Sequence, residues 1–290
     1  MNQNQDELNS ILTQEVREKS NQKARSTWER KAVGSQRAEG TQSGTAEYYS
    51  KIRSYRYGYE TAFIPDFFGF ACLKDKRVLE VGIGNGIDGV EMMRNGAQYT
   101  GIDITTNHLE LTRRYVALEQ ADGKGLLVED IIEGDLMETD LPGNYDVIYS
   151  FGVLHHIAHE EEFLQRMNTL LAKEGELRIA LYAEFSLFNA WMNLQWWLRD
   201  RRHHTLVDWQ SHLAEGSYLG DPVVIKIRHR QEIQSILERA GFEVIRYGRK
   251  GFVQGYLPGI GRLLSPNGWV LNCLAYVLGW YHCFVCRRAD

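Results

Sequence analysis

The 290-residue chain contains little cysteine, little proline and no strong excess of charge of either sign. Its four cysteines are too few and too clustered to support a disulfide scaffold. Thirty-three Lys and Arg against 38 Asp and Glu leave a formal net charge of −5, so the chain lacks the basic field typical of nucleic-acid binders, and we expect no nucleic-acid partner. With 43% apolar and 24% charged residues, the composition is that of an ordinary globular protein.

Long hydrophobic runs are also missing. The first ten residues, MNQNQDELNS, include no apolar segment of the kind that a secretory signal needs, so we predict a cytoplasmic location. The longest mostly apolar stretch, residues 269–286, is interrupted by Asn272, Gly279 and His282. It is therefore predicted to form a helix followed by a strand rather than a membrane span.

Tryptophan is present but unevenly placed. Only Trp28 precedes residue 191, and six more follow, namely Trp191, Trp196, Trp197, Trp209, Trp269 and Trp280. The unusual part of the composition thus lies in the last hundred residues.

From Arg77 onward, segments typical of buried strands alternate with segments typical of helices. The strand-like segments are RVLEVG, YTGIDI, LLVEDIIEGD, YDVIYSF and ELRIALY. Such alternation predicts a Rossmann-like, doubly wound α/β sheet that is mostly parallel. The closing segment WYHCFVCRR is predicted to be an antiparallel last strand. Two segments, about 183–228 and 251–276, are predicted to leave the sheet as insertions. Within the first of them, residues 204–228 are expected to have no regular secondary structure.

A glycine-rich turn, EVGIGNG at residues 80–86, follows the first strand directly. Glycines let the chain turn sharply and let its backbone approach a ligand without a Cβ in the way. Enzymes that bind NAD use a similar turn with the spacing G-x-G-x-x-G. Here the spacing is G-x-G-x-G, and the acidic Glu80 ends the strand, so the turn favours a different ligand.

Acidic residues also end the next two strands. Asp103 lies 21 residues after Gly82, where a carboxylate can accept hydrogen bonds from both hydroxyls of a ribose; its alternative role is to cap the next helix. Asp135 can accept a hydrogen bond from an adenine amine while Leu136 packs on the ring, although a turn aspartate is the simpler interpretation.

These segments together resemble the class I S-adenosylmethionine-dependent methyltransferases. VLEVGIGNG, GIDI, EGDLM and YDVIYSFGVLHHI are similar to four motifs of that family in the same order, and the resemblance covers about residues 47–182. It implies S-adenosylmethionine as the cofactor. The matched positions implied to hold it are Glu80, Gly82, Gly84, Asn85, Gly86, Asp103, Ile104, Asp135, Leu136, Ser150 and Phe151.

The resemblance also predicts the organisation of the chain. Residues 1–60 would form an N-terminal helical cap or lid, and residues 61–290 the methyltransferase domain. The two insertions would build the pocket for the methyl acceptor, because ligands bind beyond the carboxyl ends of the strands in this fold.

Methyl transfer from a sulfonium is an in-line displacement, and a base assists when the acceptor must lose a proton. His155 and His156 lie just past the fourth strand, and Tyr182 ends the fifth, so these three are the predicted catalytic residues. Helix capping, loop ordering and simple packing are their alternative roles.

A segment rich in Tyr and Arg precedes the first strand. Together with the lid tryptophan it is predicted to contact the acceptor or the cofactor carboxylate through Trp28, Tyr48, Tyr49, Arg53, Arg56 and Tyr57. The alternative is a solvated basic helix face. The glycine-rich residues 33–46 are predicted to help Trp28 exclude water.

No metal is expected, because Cys283-x-x-Cys286 has no second ligand pair and is more typical of buried strand cysteines. The predicted function is methyl transfer from S-adenosylmethionine to an N, O or S atom of a small-molecule acceptor. The alternatives are a peripheral-membrane methyltransferase acting on a lipid-linked or quinone-like acceptor, and a non-catalytic S-adenosylmethionine-binding module. The oligomeric state is left open.

Overall fold

The structure is a computed structural model that describes residues 2–30 and 32–289, with the backbone alone for residues 2–14. Met1, Lys31 and Asp290, which belong to the predicted lid and domain, lie outside the described residues. A seven-stranded sheet forms the centre of the described chain, in the order β3-β2-β1-β4-β5-β7-β6. Its strands are β1 (Arg77–Val81), β2 (Gln98–Asp103), β3 (Leu127–Glu133), β4 (Tyr145–Phe151), β5 (Leu171–Tyr182), β6 (Phe242–Lys250) and β7 (Tyr281–Arg288).

The first five strands are parallel, and β7 runs antiparallel to both β5 and β6. The predicted Rossmann-like α/β sheet with an antiparallel last strand is therefore confirmed. The α-helices are α1 (Asn2–Arg30), α2 (Ala46–Tyr55), α3 (Ile64–Phe67), α4 (Ile87–Arg94), α5 (Thr106–Ala121), α6 (Glu160–Leu170), α7 (Leu187–Gln195), α8 (Leu206–Glu215), α9 (Arg230–Arg239) and α10 (Trp269–Leu278).

Two apolar layers bury the two faces of the sheet. Val78 packs into one layer, while its neighbour Leu79 packs into the other. Successive side chains of a strand point to opposite faces, so a strand that is covered on both sides must be apolar throughout. This explains why Val78, Leu79 and Val81 of β1 are apolar, and it makes the buried Glu80 the exception in this strand.

The N-terminal helix α1 is joined to the sheet domain by side-chain contacts. Glu29 accepts hydrogen bonds from the backbone N–H groups of Thr106 at 2.6 Å and Asn107 at 3.1 Å, at the start of α5. Arg25 donates from Nε to the carbonyl oxygen of Ile104 at 2.8 Å. A carboxylate from another segment thus satisfies the first free N–H groups of α5, which ties the predicted lid to the carboxyl edge of β2.

The insertion after β5 differs from the prediction, since part of the stretch expected to be irregular forms helix α8. The Thr205 hydroxyl accepts a hydrogen bond from the backbone N–H of Asp208, and Gly216 ends the helix with a φ of 70°. A threonine N-cap and a glycine C-cap are ordinary sequence signals for the start and the end of a helix, so α8 could have been predicted.

Both insertions begin and end at the same edge of the sheet, and a bridge between Ala183 and Arg228 joins the two ends of the first one. Tyr281, the first residue of β7, pairs with Tyr182 at the end of β5 and with Lys250 at the end of β6. Among the described residues, no helix is both long and apolar enough to cross a bilayer. The cytoplasmic location stays a prediction.

Candidate active site

A cavity of about 520 Å³ lies at the carboxyl edge of β1, β2 and β4, between α1 and the two insertions. Most of the predicted site residues line it. They are Trp28, Arg56, Glu80, Gly82, Gly84, Asn85, Asp103, Ile104, Asp135, Leu136, Phe151, His156 and Tyr182.

The other predicted site residues lie off this cavity, namely Tyr48, Tyr49, Arg53, Tyr57, Gly86, Ser150 and His155. Ser150 donates from its hydroxyl to the Val81 carbonyl at 2.9 Å and so ties β4 to β1. Tyr49 donates to the Leu111 carbonyl at 2.6 Å, and its ring stacks on Tyr115 at 4.1 Å. The partners of these two side chains lie inside the protein, which gives both side chains a part in packing, and their predicted ligand contacts stay predictions.

The glycine turn contains conformations that side chains rarely adopt. Gly82 has a φ of 78°, and a Cβ there would lie 2.2 Å from Cγ2 of Val153. Gly84 has a φ of 54°, and its N–H donates to Oδ2 of Asp103 at 3.3 Å. The turn therefore needs glycine for its geometry, and it touches the acidic end of the neighbouring strand.

Glu80 is a buried carboxyl at the end of β1 that lines the cavity. Its Oε2 accepts a hydrogen bond of 2.6 Å from the Tyr99 hydroxyl. Burial raises the pKa of Glu80 well above its ordinary value, and the nearby charge of Asp88 adds to this effect. A ligand cation placed beside Glu80 would favour the ionised form.

Asp103, at the end of β2, is held by backbone and side-chain donors. Its Oδ1 accepts from the Thr105 N–H at 2.9 Å, and its Oδ2 lies 3.2 Å from Nδ1 of His108. The other ring nitrogen of His108 accepts a hydrogen bond of 3.4 Å from the N–H of Val33. These two contacts assign the Nδ1–H tautomer to a neutral His108, which would then donate to Asp103. His108 was missed by the sequence reasoning; its signal is a polar residue on the buried face of α5.

Asp135, after β3, is reached by the N-terminal helix. Its Oδ2 accepts a hydrogen bond of 2.6 Å from the Asn21 amide, and its Oδ1 accepts from the Met137 N–H at 2.9 Å. Asn21 and Trp28 both line the cavity, and the Trp28 ring meets the His156 ring edge-on at 5.9 Å. Helix α1 thus covers the part of the cavity where adenine is predicted to bind.

The Tyr/Arg segment forms a buried cluster on Asp88 at the start of α4. Arg56 makes a two-pronged ion pair with Asp88, which also accepts from the Tyr57 hydroxyl at 2.7 Å and the Tyr149 hydroxyl at 2.8 Å. Burial alone would raise the pKa of Asp88, but the Arg56 charge and these hydrogen bonds hold it below its ordinary value. Arg53 pairs with Glu91 at 2.8 Å. Both arginines therefore already have carboxylate partners, and Arg56 does not belong to a solvated face.

The predicted catalytic histidines lie beside the carboxylate of Glu215, a residue that was not predicted from the sequence. Glu215, the last residue of α8, lines the cavity, and its Oε1 lies 3.6 Å from Nε2 of His155 and 3.8 Å from Nε2 of His156. Tyr182 stacks on the buried His155 ring at a centroid distance of 3.9 Å. Desolvation and the neighbouring His156 lower the pKa of His155 to about 4, so His155 is neutral near pH 7.

The cavity wall farthest from β2 and β3 is aromatic. It includes Tyr59, Tyr182, Phe188, Tyr256, Trp280 and Tyr281. Trp280 stacks on Tyr182 at 4.3 Å. Of the six late tryptophans only Trp280 lines this cavity in the described structure, whereas Trp269 is 78% exposed. Only one of the late tryptophans thus reaches the cavity in the described structure, and tyrosines make up most of this aromatic wall.

The two cysteines of the CxxC sequence are both buried in β7. Burial raises the pKa of the Cys283 thiol strongly and that of Cys286 to about 12. Both are therefore protonated strand side chains, as predicted.

Residues 52–247 match the model of the family described as a methyltransferase domain. The chain belongs to this family. The predictions of a class I methyltransferase and of S-adenosylmethionine as its cofactor are thereby confirmed at the level of the family.

Curated relatives match a shorter stretch. The chain is 27% identical over 106 residues to the mitochondrial ubiquinone biosynthesis O-methyltransferase of Schizosaccharomyces pombe, covering 37% of this chain and 38% of that protein. It is 36% identical over 106 residues to the ubiquinone biosynthesis O-methyltransferase of Bordetella bronchiseptica, covering 36% of this chain and 41% of that one. The chain thus spans about two-fifths of the length of these relatives.

Solved structures show the same fold at low identity. The magnesium protoporphyrin IX methyltransferase of Synechocystis, with bound S-adenosylhomocysteine, aligns with a TM-score of 0.56 at 14% identity over 94% of this chain and 98% of that one. An S-adenosylmethionine-dependent methyltransferase of Mesorhizobium loti aligns with a TM-score of 0.53 at 16% identity over 79% of this chain and 98% of that one. At such identities the likeness is one of fold.

Proposed function

We propose that the protein transfers the methyl group of S-adenosylmethionine to a hydroxyl oxygen of a small aromatic acceptor. One observation carries this proposal: a single cavity has acidic residues at the carboxyl ends of β1 and β2 and after β3 on one side and an aromatic wall on the other. The first side suits the cofactor, and the second suits a flat acceptor.

The cofactor side offers one acidic group for each polar part of S-adenosylmethionine. Glu80 would receive the amino group of the methionine part, Asp103 the ribose hydroxyls and Asp135 the adenine amine. The positive φ values of Gly82 and Gly84 let the backbone approach the ligand closely. Helix α1 would cover the adenine, because Asn21 already contacts Asp135.

The acceptor side is formed by the two insertions and the ends of β5 and β7. Stacked aromatic rings, such as Tyr182 on Trp280, make a flat wall on which another ring can lie. The curated relatives are named as O-methyltransferases of ubiquinone biosynthesis, which supports oxygen as the methylated atom. The net charge of −5 supports a small molecule over a nucleic acid.

In the reaction the acceptor oxygen attacks the methyl carbon in line with the C–S bond. An O–CH₃ bond would form as the S–CH₃ bond breaks, the sulfonium would become a neutral thioether, and the hydroxyl proton would pass to His156 or to water. Alignment of the two reactants can supply about 7–11 kcal/mol of the barrier. His156 and Tyr182 line the acceptor side, so their predicted catalytic role stays part of this proposal; His155 would act through Tyr182, on which it stacks.

Two measurements on the purified chain test the proposal. Calorimetry with S-adenosylmethionine should show saturable binding, and Asp103→Ala should weaken it at least about tenfold, since hydrogen bonds to a charged group contribute about 1.5–3 kcal/mol. Asp122→Ala, at the end of α5, is the matched control. Unchanged affinity in Asp103→Ala would contradict the cofactor site.

The acceptor is tested by incubating the protein with labelled S-adenosylmethionine and a panel of phenols, catechols, amines and thiols. Labelled methyl ethers support the proposal. Labelled amines or thioethers alone would overturn the choice of oxygen. Binding without any labelled product from the panel or from a cell extract would favour the non-catalytic module, and label recovered only in lipid would favour the membrane-bound acceptor.

A further inference from the structure

We propose that His155, His156 and Glu215 form a binding site for a divalent transition-metal ion at the acceptor end of the cavity. This departs from the sequence prediction of no metal, which considered only the cysteine pair. The three side chains come from the 3₁₀ turn after β4 and from the end of α8, and so only the folded chain brings them together.

The geometry is that of three ligands around a common point. One donor atom from each residue lies within 4.8 Å of the other two. Oε1 of Glu215 lies 3.6 Å from Nε2 of His155 and 3.8 Å from Nε2 of His156. These separations are slightly longer than hydrogen bonds and close to the spacing of two ligands that share a metal at about 2.0–2.2 Å from each.

Three polar atoms of the cluster have no hydrogen-bond partner within the described protein. His155 is fully buried, and neither of its ring nitrogens has a hydrogen-bond partner there; the same holds for Oε1 of Glu215, whose side chain is 8% exposed. Buried polar atoms are nearly always satisfied, and each unsatisfied one calls for an explanation. A bound cation would give a partner at once to one ring nitrogen of His155, to Nε2 of His156 and to Oε1 of Glu215.

The second ring nitrogen of His156 supports the same conclusion. Its Nδ1 lies 2.6 Å from the Val224 carbonyl oxygen, to which it can only donate, and a neutral ring then keeps a free lone pair on Nε2. Histidines that bind metals commonly donate their other ring nitrogen to a carbonyl in this way. The contact also holds the residues around Val224 against the turn, where the Lys226 N–H donates to the His155 carbonyl at 3.0 Å.

The donor set indicates the class of metal. Two imidazoles and one carboxylate suit zinc, iron, cobalt or nickel, whereas magnesium and calcium prefer oxygen ligands throughout. Two of the three residues, His156 and Glu215, line the cavity, so one coordination position would face the acceptor. Three protein ligands with an open position are typical of catalytic metal sites.

This position gives the metal a role, and the role rests on the proposed function. With the ion bound, His156 would act as a ligand and not as the base. The acceptor hydroxyl would coordinate the ion, which lowers the pKa of the hydroxyl, and its proton would pass to water. The resulting oxygen anion would then form the O–CH₃ bond as the C–S bond breaks. The ion itself is neither oxidised nor reduced.

Metal binding is measured without reference to methyl transfer. The full chain, freed of metal by a chelator, is titrated with Co²⁺ while the visible absorption of the bound ion is followed, and with Zn²⁺ by calorimetry. We expect one ion per chain. Loss of a ligand should weaken Co²⁺ binding at least about tenfold, as even loss of a supporting contact commonly does, so Glu215→Gln and His156→Ala are the variants to test.

Glu184→Gln is the matched control, because Glu184 pairs with His229 at 2.6 Å on the exposed surface. It should bind Co²⁺ as the unchanged chain does. If His156→Ala fails to fold, the nearly isosteric Glu215→Gln decides the question alone. Absence of saturable binding of either ion, or equal binding in Glu215→Gln, would overturn the metal site.

Cofactor affinity and methyl transfer are measured on the same samples. A chain that binds the metal but transfers no methyl group to any acceptor contradicts the proposed function and leaves the metal site standing. Equal methyl transfer with and without the metal overturns the role of the ion in the reaction.

Discussion

The side-chain amide of Asn21, on the N-terminal helix, donates a hydrogen bond of 2.6 Å to the carboxylate of Asp135, after the third strand. This contact joins the predicted lid to the predicted adenine site. A carboxylate offers about four acceptor positions, so Asp135 can keep Asn21 and still accept from a ligand amine. We therefore interpret Asn21 as a residue that holds the lid closed over the cofactor.

If so, Asn21→Ala should weaken the binding of S-adenosylmethionine. A hydrogen bond of this kind contributes about 1 kcal/mol, which corresponds to about fivefold in the dissociation constant. Calorimetry measures the change, with Gln22→Ala, the exposed neighbour on the same helix, as the control. Tighter binding in Asn21→Ala would mean that Asn21 competes with the cofactor for Asp135.

Glu80 predicts a pH dependence of cofactor binding. Because its pKa is raised in the free protein, its carboxyl holds a proton at pH values where an exposed glutamate has lost it. The methionine amino group favours the ionised form, so binding should release a proton, and affinity should rise with pH until the raised pKa is passed. Calorimetry in two buffers with different ionisation enthalpies counts the proton.

Glu80→Gln should remove this proton release and weaken binding. Glu110→Gln, an exposed glutamate on α5, should change neither. Equal proton release in the two variants would contradict the assignment to Glu80.

The Asp88 cluster predicts a large loss of stability. Asp88→Ala leaves the Arg56 guanidinium buried without its partner, and breaking a buried ion pair in this way costs about 3–5 kcal/mol. Chemical denaturation measures the difference. Glu161→Ala, which removes the exposed pair with Arg239, should cost less than about 1 kcal/mol.

The contribution of the same cluster to the stability of the fold depends on pH. The pKa of Asp88 is lowered in the folded state, so its contribution is complete above the unfolded pKa and is lost as the pH falls through the folded value. The stability gap between the unchanged chain and Asp88→Ala should therefore narrow only in acid. A gap that narrows toward high pH instead would assign the effect to another group.

Two glycines with similar φ values allow the cost of backbone strain to be measured apart from the cost of a steric clash. Gly82 has a φ of 78° and would place a Cβ 2.2 Å from Val153, whereas Gly40 has a φ of 81° with no atom within 4 Å of its Cβ position. Gly40→Ala should cost about 1–2 kcal/mol from the left-handed backbone alone. Gly82→Ala should cost more in denaturation experiments and should also weaken cofactor binding. Equal costs would show that Val153 moves aside freely.

The sequence allowed good prediction of which acidic residues at the strand ends lie together in the cavity, and poor prediction of the residues that the two insertions bring to it. Asp103 ends a parallel strand and Asp135 follows the next, and the carboxyl ends of parallel strands meet at one edge, so their spacing along the chain was enough to bring them together. Glu215 reaches the cavity only through the packing of α8, which no strand pattern predicts.

Side-chain direction was a second limit. Arg56 and Tyr49 lie in one Tyr/Arg-rich segment. Arg56 lines the cavity and pairs with Asp88, whereas the Tyr49 hydroxyl donates to the Leu111 carbonyl. Asp88 lies on α4, 32 residues after Arg56, and Leu111 lies on α5, 62 residues after Tyr49. Contacts of this range depend on how helices pack, which the local spacing of residues does not specify.

The pairing of Tyr281 with both Tyr182 and Lys250 has a consequence for how the protein can change. The two insertions are anchored on three adjacent strand ends, away from β1, β2 and β3. The attachment points of both insertions are therefore fixed by strand pairing. If the insertions form the acceptor side, as proposed, replacing one with the matching segment of a relative would change the acceptor while Glu80, Asp103 and Asp135 stay in place.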